Sequence, residues 1–436
     1  MKKTISAAQI SSLDEFGNRI GLNPAEVKGK FRKYRTIFQT ILVIIFLGIP
    51  WTEIKNHQTL YFNISDREFY FFGLLLKAHN APLLLFLLLG GTLTLAFVTS
   101  VWGRVWCGWA CPQTVFIDGL YRRIEYLIEG NYLARRKMKV DEISFSYVFK
   151  KTMKWILFYV ASAVLSHSFL AYFVGAHRFV GIVENGPSAN LSLFFISQAL
   201  TLFLVFNFGW FREQFCTVMC PYGRIQGLLI DNSSLAVVYD EKRSDCVQCN
   251  RCVNACPVGI DIRNGLQMEC IACTACIDAC DEIMEKVNKP KGLIKYDTLN
   301  SEKISLLKPR SLLYLLGISI CVIGLIYSLG RIRHSEAFIL RSKSVTFTEQ
   351  HENGIDLLTN QFRLQIHNQS DTSHVYKFEI LGRNSVKVTS QLSEITVKPN
   401  ENYDWHFFVT LPKTEFKQNN KLQIQIYDAE DKTSFH

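Results

Sequence analysis

Charged residues are scarce in this sequence of 436 residues, at 20% of the chain, whereas 48% are hydrophobic and the mean hydropathy is +0.10. Such a large apolar fraction excludes an intrinsically disordered chain. The length excludes a small disulfide-stapled scaffold, although 13 cysteines are present. The 48 Lys and Arg exceed the 38 Asp and Glu, which gives a net charge of +10. In a chain this apolar, a basic excess is more typical of cytoplasmic membrane loops than of nucleic-acid binding.

Five stretches are apolar enough to cross a bilayer, which takes about 20 residues each. They lie at 36–51, 81–101, 155–174, 191–210 and 311–329. We find no small-residue cleavage site after the first stretch and interpret it as a retained anchor, not a signal peptide. The sequence therefore predicts an α-helical membrane protein with about five transmembrane helices.

Basic residues predict the orientation of these spans. Eight Lys and Arg lie in residues 1–35, and the segments after the second and fourth spans are also basic, whereas the loop at 175–190 carries only Arg178. The positive-inside rule then places these basic segments in the cytoplasm. The chain after the fifth span is expected in the periplasm of a bacterial inner membrane. Histidine is absent from every part assigned to the cytoplasm.

Eight cysteines form a tandem motif after the fourth span, and each copy has the spacing Cys-x2-Cys-x2-Cys-x3-Cys. In bacterial ferredoxins the last cysteine of such a run ligates the cluster of the other run. We therefore assign one [4Fe-4S] cluster to Cys246, Cys249, Cys252 and Cys280, and a second to Cys270, Cys273, Cys276 and Cys256.

Other uses of these eight cysteines fit less well. Zinc sites usually combine paired spacings with a longer loop and often include His, and a Rieske centre needs two His ligands. No His lies in this segment. Disulfides are disfavoured in the reducing cytoplasm. One departure from the ferredoxin pattern is that Asp281, and not Pro, follows Cys280, although the number of ligands is unchanged.

Four further cysteines, here called the paired membrane cysteines, occur in two Cys-x3-Cys-Pro motifs at the cytoplasmic ends of spans two and four. They are Cys107, Cys111, Cys216 and Cys220. If the helix continues through a motif, both sulfurs share one face, and the proline places the second cysteine at the helix end. Four thiolates suit Cu(I) or a further iron–sulfur centre. The alternative is that these cysteines only pack as small apolar side chains, as we interpret Cys321 in span five.

The motifs resemble those of the FixG/RdxA/CcoG family, polyferredoxin-like accessory proteins of cbb3-type cytochrome oxidase. The matching segments are GRVWCGWACPQTVF (103–116), REQFCTVMCPYGRIQ (212–226), the double cluster motif, KGLIKYD (291–297) and KPR (308–310). The Cys-x3-Cys-Pro pair is shared with NapH/NosR-type membrane ferredoxins and is less specific. The resemblance implies a membrane cupric reductase that supplies Cu(I) to the oxidase, with the paired membrane cysteines and two [4Fe-4S] clusters carrying the electrons.

The resemblance to this family leads to further expectations. The paired membrane cysteines are predicted to be catalytic and to bind copper, the substrate, because Cu(I) prefers thiolates. The predicted partners are the membrane, oxidase assembly factors or a copper transporter or chaperone, and an unidentified electron donor, without nucleic acid. Two alternatives remain: a quinol-linked electron-relay subunit, and a non-catalytic assembly scaffold. The outer segments contain neither a Cys-x-x-Cys-His haem motif nor a flavin fingerprint that would support a relay.

Beyond residue 345 the sequence alternates apolar and polar residues in short runs separated by polar turns, which predicts an immunoglobulin-like β-sandwich without a disulfide. This tail contains neither Cys nor Met, so a thioether copper site is not expected there. Its histidines are interpreted as solvated surface residues: His351, His367, His374 and His406. Docking of a partner is the favoured role of the tail.

Three local features of the sequence lead to expectations of their own. His167 is interpreted as a satisfied imidazole within span three, with a quinone pocket as the alternative. An amphipathic helix at the cytoplasmic membrane surface is predicted over 116–128, with a helix packed on a soluble lobe as the alternative. Arg104, Arg212 and Arg224 flank the paired membrane cysteines, where they would lower the thiol pKa values or extend to the membrane surface. The expected domains are an arm (1–35), a four-helix membrane domain (36–230), a ferredoxin domain (231–308), a fifth transmembrane helix (309–330) and an immunoglobulin-like domain (340–436).

Overall fold

The structure, a computed structural model, describes residues 22–54, 57–64, 68–77, 81–138, 144–298, 308–330, 335–341, 347–352, 355–368, 373–381, 387–390, 394–398, 401–415, 423–428 and 434–435. It divides into two compact units, Met1–Ser328 and Leu329–His436.

Long apolar helices dominate the first unit. In chain order the α-helices are α1 (Lys30–Gly48), α2 (Ala81–Trp102), α3 (Val105–Trp109), α4 (Pro112–Phe116), α5 (Arg122–Glu129), α6 (Tyr132–Met138), α7 (Phe145–Val174), α8 (Ala176–Glu184), α9 (Leu191–Leu204), α10 (Pro221–Leu229), α11 (Arg251–Ala255), α12 (Ala275–Lys286) and α13 (Pro309–Gly330). A π-helical segment, Val205–Phe211, continues α9. Five of these helices are long and apolar enough to cross a membrane, as predicted: α1, α2, α7, α9 with its extension, and α13.

Two of the membrane helices begin earlier than their hydropathy predicts. Helix α1 starts at Lys30 and not at 36, and α7 starts at Phe145 and not at 155. Partners distant in sequence stabilise the added turns. The Asp278 carboxylate accepts hydrogen bonds from the first amides of α1, at 2.7 Å from Arg32 N, and Lys154 in α7 pairs with Glu129 at 3.0 Å. These partners allow charged residues to lie in the helices although charge interrupts the hydropathy signal.

Short antiparallel strands connect the helices of the first unit. They are β1 (Glu53–Ile54), β2 (His57–Gln58), β3 (Leu60–Asn63), β4 (Glu68–Phe71), β5 (Leu74–Lys77), β6 (Leu235–Tyr239) and β7 (Ile294–Thr298). Strands β3–β5 form a small sheet in the loop between the first two apolar helices. Strands β6 and β7 pair from Leu235↔Thr298 to Tyr239↔Ile294. They hold together the two ends of the cysteine-rich segment 235–298, which is called the ferredoxin lobe below.

The segment 116–128 is helical throughout, as predicted, with a π-helical stretch in its middle. Helix α4, a π-helical stretch Ile117–Tyr121 and helix α5 follow one another, and Phe116 packs into a buried cluster with Tyr121 and Phe158. The polar face is buried too, since Glu125 is 4% exposed, whereas Leu127 is 80% exposed. The packing against α7 thus buries part of both faces, and the placement of this helix at the membrane surface stays a prediction.

The second unit is a sandwich of two antiparallel sheets, as predicted. Its strands are β8 (Ser335–Arg341), β9 (Thr348–Glu352), β10 (Ile355–Asn368), β11 (His374–Leu381), β12 (Lys387–Ser390), β13 (Glu394–Val397), β14 (Asn402–Pro412), β15 (Gln423–Asp428) and β16 (Ser434–Phe435). One sheet has the order β12-β14-β10-β8, with β9 also paired to β10, and the other has the order β13-β11-β15-β16. Side chains from both sheets, including Leu364, Tyr376 and Phe407, form one buried core.

The histidines of this unit differ in their surroundings. His351 is exposed and pairs with Asp356 at 2.6 Å, and His406 is also exposed, as predicted. His374 is 9% exposed and lies against the ring of Tyr376, so its assignment to the solvated surface was wrong. It begins β11 with its side chain on the inward face. The side chain of His367 lies outside the described residues.

Candidate iron–sulfur and thiolate site

Two small cavities in the cysteine-rich lobe are lined by the eight ferredoxin-type cysteines. The first cavity is lined by Cys246, Cys249, Cys252 and Cys280. The second is lined by Cys256, Cys270, Cys273 and Cys276, and the Cys252 side chain reaches its edge. The structure thus brings together the two sets that the crossed ligand assignment groups. That assignment remains a prediction, which this arrangement supports.

The backbone shows why the repeated spacing makes two similar cavities. In each motif the residues on either side of the middle cysteine adopt left-handed conformations: Gln248 (φ 54°) and Asn250 (φ 55°) around Cys249, and Ala272 (φ 51°) and Thr274 (φ 63°) around Cys273. Alternation between left-handed and ordinary backbone curls each loop. A short helix, α11 or α12, then begins directly after each loop and carries the third cysteine.

The chemistry of these thiols fits iron–sulfur clusters. Burial raises the pKa of Cys256 and of Cys280 to about 12 and that of Cys270 to about 11. A buried thiolate without a counter-charge is unfavourable, and cluster iron supplies that charge while the proton is released. Apolar side chains such as Val258 and Ile271 complete the second cavity. The eight cysteines would hold two [4Fe-4S] clusters on this basis.

The paired membrane cysteines do not lie on continuous helices. Helix α3 ends at Trp109, and Cys111 is extended (φ −61°, ψ 129°) before α4. In the other motif a π-helical segment ends at Met219, and Cys220 is extended (φ −70°, ψ 111°) before α10. The proline after each second cysteine excludes helical geometry there, as expected. The condition for both sulfurs to share one helical face, a helix that continues through the motif, is therefore not met.

The four paired membrane cysteines nevertheless lie near enough to one another for their charges to interact. Burial raises the pKa of Cys216, and negative charge on Cys111, Cys107 and Cys220 would raise it further because these thiols are its neighbours. Burial also raises the pKa of Cys107 to about 11, although Arg104 acts in the opposite direction. Flanking arginine therefore does not produce a net lowering. Among the described residues, no three His, Cys, Asp or Glu side chains meet closely enough to hold a single metal ion.

The paired membrane cysteines lie directly against the second cavity. Cys107 and Cys216 pack on the apolar cluster that contains Cys270, Ile271 and Cys273. A Cβ atom at Gly108 would lie 2.6 Å from the carbonyl oxygen of Ile271, so only glycine permits this approach. The Arg104 guanidinium, which is buried, donates hydrogen bonds to the carbonyl oxygens of Met268 and Gly223 and so joins the lobe to α10.

Sequence reasoning missed three polar residues at this contact. Gln226, which is fully buried, accepts a hydrogen bond from Cys107 Sγ at 3.1 Å. Arg35 donates to the carbonyl oxygen of Cys273, and the Tyr296 hydroxyl donates to that of Ala272 at 2.8 Å. An arginine at the edge of an apolar run was the available signal for Arg35. Gln226 and Tyr296 lie in two segments that carry the family resemblance, 212–226 and 291–297, but their residue types alone indicated no role.

The remaining candidates have structural partners. His167 Nδ1 lies 2.5 Å from the carbonyl oxygen of Ala163, which favours the interpretation of a satisfied imidazole. Arg212 pairs with Glu125 at 2.5 Å, and Arg224 donates to the carbonyl oxygen of Val218 at 3.2 Å. Cys321 is 4% exposed and lies near Gly90 of α2, in agreement with a packing role.

Models of three protein families match this chain. A 4Fe-4S dicluster domain matches residues 211–245 and 241–299. A 4Fe-4S binding domain matches residues 84–140, which include the first Cys-x3-Cys-Pro motif. An IG-like fold at the C-terminal of FixG matches residues 325–436.

Curated relatives agree with these matches. Protein RdxB of Cereibacter sphaeroides is 34% identical over 318 residues, which is 68% of this chain and 66% of that protein. Protein RdxA of the same organism is 31% identical, over 66% of this chain and 65% of that protein. The nitrogen fixation protein FixG of Rhizobium meliloti is 30% identical, over 68% of this chain and 61% of that protein. The match thus spans slightly less than two thirds of the length of these relatives.

A crystal structure of a FixG-related protein from Vibrio parahaemolyticus covers 24% of this chain and 91% of its own, at 15% identity and a TM-score of 0.20, which is too low to compare the folds. The sequence relatives and the FixG-specific tail domain decide the assignment. This chain belongs to the FixG family of membrane iron–sulfur proteins.

Proposed function

We propose that this protein, a membrane iron–sulfur electron-transfer protein, is a cupric reductase that converts Cu(II) to Cu(I) for assembly of a cbb3-type oxidase. The observation that carries this proposal is the packing of Cys107 and Cys216 against the loop of the second cavity. A thiol site in contact with a ferredoxin lobe is placed to receive electrons without a route across the bilayer.

The paired membrane cysteines account for the chemistry of the substrate. Thiolates are soft ligands that stabilise Cu(I) over Cu(II), so binding there favours reduction of the metal. Each bound Cu(II) takes up one electron to become Cu(I), and the thiols that bind it give up their protons. The [4Fe-4S] clusters, when bound in the two cavities, supply one-electron carriers. Gln226 holds the Cys107 thiol in place, and the raised thiol pKa values mean that metal binding releases protons.

The location and partners are part of the same proposal. The basic segments favour a cytoplasmic ferredoxin lobe in a bacterial inner membrane, with the β-sandwich in the periplasm. Reduced copper would then be released in the cytoplasm to a transporter or chaperone that serves the oxidase. The sandwich lacks the thiolate and thioether ligands that suit Cu(I), which favours docking of a partner as its role.

A second candidate function is supported by an apolar groove beside the thiol site. The groove has a volume of about 440 Å³ and is lined by Phe38 and Ile41 of α1, and by Trp106 and Trp109 next to Cys107. A lipid-soluble quinol would fit such a lining, which favours the quinol-linked relay as the runner-up. In that case the chain would oxidise quinol and pass electrons to a partner.

The decisive experiment measures Cu(II) reduction by the purified, cluster-loaded protein with reduced methyl viologen as the electron donor. We expect Cys216→Ala and Cys107→Ala to lose most of the activity while EPR shows both clusters intact. Cys321→Ala removes a buried cysteine outside the site and should keep the wild-type rate. Wild-type rates in both site variants would refute the copper role of these cysteines. The same assay with a quinol as the electron donor tests the groove. If Trp106→Ala loses Cu(II) reduction with the quinol but keeps it with methyl viologen, the groove is the quinol site.

A further inference from the structure

A basic cavity of about 330 Å³ lies where the first apolar helix meets the ferredoxin lobe. Its walls come from α1, from the segment before it, from the chain around α5 and from Pro257 and Ala275 of the lobe. Six cationic side chains line it: Lys28, Arg32, Arg35, Arg122, Arg123 and Arg135. Only two acidic residues, Glu26 and Asp118, line it with them. This cavity has no role in the proposed reduction of copper.

The carboxylates neutralise only part of this charge. Asp118 is shared by Arg122 at 2.5 Å and Arg35 at 3.2 Å, and it lies 3.9 Å from Arg32. Arg123 donates a hydrogen bond to the Thr40 hydroxyl at 3.0 Å, and within the described part of the chain it forms no ion pair. Glu26 pairs with Arg135, and two carboxylates outside the cavity, Glu213 and Glu125, also pair with Arg122 and Arg135. The six cations therefore face four carboxylates, and the net positive charge that remains would stabilise an anion inside the cavity.

Two of the arginines are also buried without full hydrogen bonding. Arg35 is 3% exposed and Arg135 is 9% exposed. The Nε atom of each has no hydrogen-bond partner among the described residues. The terminal nitrogens of both groups do pair with carboxylates, Arg35 with Asp118 and Arg135 with Glu26. Because buried polar groups usually have partners, the two Nε–H groups are donors that a further acceptor could satisfy.

The position of the cavity indicates which anion it takes. Arg32 and Arg35 lie in the first turns of the apolar helix that begins at Lys30. Basic side chains at the end of a membrane helix lie at the level of the lipid headgroups, and basic pockets between such helices bind anionic headgroups. We propose that this cavity binds the phosphate headgroup of an anionic phospholipid and thereby attaches the ferredoxin lobe to the membrane surface.

Other anions fit these observations less well. A partner protein would need a contact of about 800 Å² on each side, whereas this cationic site is a confined cavity. A soluble nucleotide shares the phosphate chemistry but would not require a site at the start of a membrane helix. The experiment therefore has to separate a lipid phosphate from a soluble one.

The test uses native mass spectrometry of the full, cluster-loaded chain in detergent with added phosphatidylglycerol, phosphatidylcholine or ADP. Arg32→Gln together with Arg123→Gln removes two charges that make few other contacts. We expect this variant to bind phosphatidylglycerol roughly thirtyfold more weakly than wild type, the effect of two basic residues near a charged membrane surface. The matched control is Lys33→Gln with Lys137→Gln, two exposed residues outside the cavity, which should bind like wild type.

Arg32→Lys with Arg123→Lys retains the charges and should retain most of the binding, and EPR of all variants should show unchanged clusters. Equal loss of phosphatidylglycerol in the cavity variant and the control would show general surface attraction and overturn the proposal. Binding of ADP in place of phosphatidylglycerol, lost in the cavity variant, would also overturn it and identify a soluble phosphate site.

Discussion

Gly108 provides the sharpest test of the contact between the paired membrane cysteines and the ferredoxin lobe. The substitution Gly108→Ala adds one Cβ atom, which would lie 2.6 Å from the carbonyl oxygen of Ile271 and 2.8 Å from that of Ala272. Ordinary van der Waals contact begins at 3.4 Å, and both neighbours are backbone atoms that cannot rotate away. The loop that carries Cys270 and Cys273 must therefore move away from the motif by several tenths of an ångström.

The magnitude follows from this overlap. Overpacking by one methyl group in a tight contact costs about 1–3 kcal/mol, so thermal unfolding of the cluster-loaded protein should shift downward by several degrees. A misplacement approaching 1 Å between reacting groups can cost up to roughly a hundredfold in rate. We expect Cu(II) reduction to fall on the order of tenfold while EPR still detects both clusters.

The matched control is Gly91→Ala in α2, because a Cβ atom there meets nothing within 4 Å. This control should keep both the stability and the reduction rate of the wild-type protein. If Gly108→Ala also keeps both, the close approach of the motif to the cluster loop does not exist in the working protein. A loss of stability with an unchanged rate of Cu(II) reduction would show that this packing does not affect electron transfer. That result would refute the predicted loss of rate.

Three other predictions follow from the site and its surroundings. Cys256→Ser should damage the cluster of the second cavity, and EPR that shows loss from the first cavity instead would contradict the crossed assignment. Burial favours the neutral form of Glu125, but the Arg212 guanidinium and nearby basic groups outweigh it and lower its pKa from 4.5 to about 2. Its charge therefore contributes stability above about pH 4.5 that is lost as the pH falls toward 2. Glu125→Gln should lower the free energy of unfolding by about 3–5 kcal/mol at pH 7. The difference in free energy of unfolding between this variant and wild type should shrink in acid. Reporter fusions after Leu299 and after Thr348 should report cytoplasm and periplasm respectively, and equal readouts would refute the orientation.

The sequence alone was sufficient for features that depend on local pattern. Five apolar runs matched five helices because a bilayer demands about 20 apolar residues wherever a helix crosses it. The spacing from Cys246 to Cys280 indicated two cysteine cages because a loop of fixed length can place its sulfurs in few ways. Strict alternation in the tail was equally local, and it predicted the sandwich but not the strand order β12-β14-β10-β8.

Features that depend on distant partners were not predictable. The charged residues from Lys30 to Arg35 interrupt the hydropathy pattern, yet they are helical because Asp278 caps the helix and Asp118 pairs with Arg35. Those acids lie more than eighty positions away in the sequence. The contact between Gly108 and the loop of the second cavity has the same character, since no pattern around Gly108 identifies its neighbour. Local periodicity reports which face is apolar and says nothing about what will cover it.

The buried charges also explain how a Cys-x3-Cys-Pro motif and the loop of the second cavity keep their relative positions. Asp118 is 2% exposed, and the guanidinium groups of Arg122 and Arg35 outweigh the effect of burial and hold its pKa well below the usual range. Arg122 also pairs with Glu213, three positions before Cys216, and Arg35 donates to the carbonyl oxygen of Cys273. One carboxylate therefore connects, through two arginines, a Cys-x3-Cys-Pro motif and the loop of the second cavity. Because a buried charge left without a partner is costly, the motif and the loop cannot separate without breaking this network. The ionic core thus contributes to the placement of the site as well as to stability.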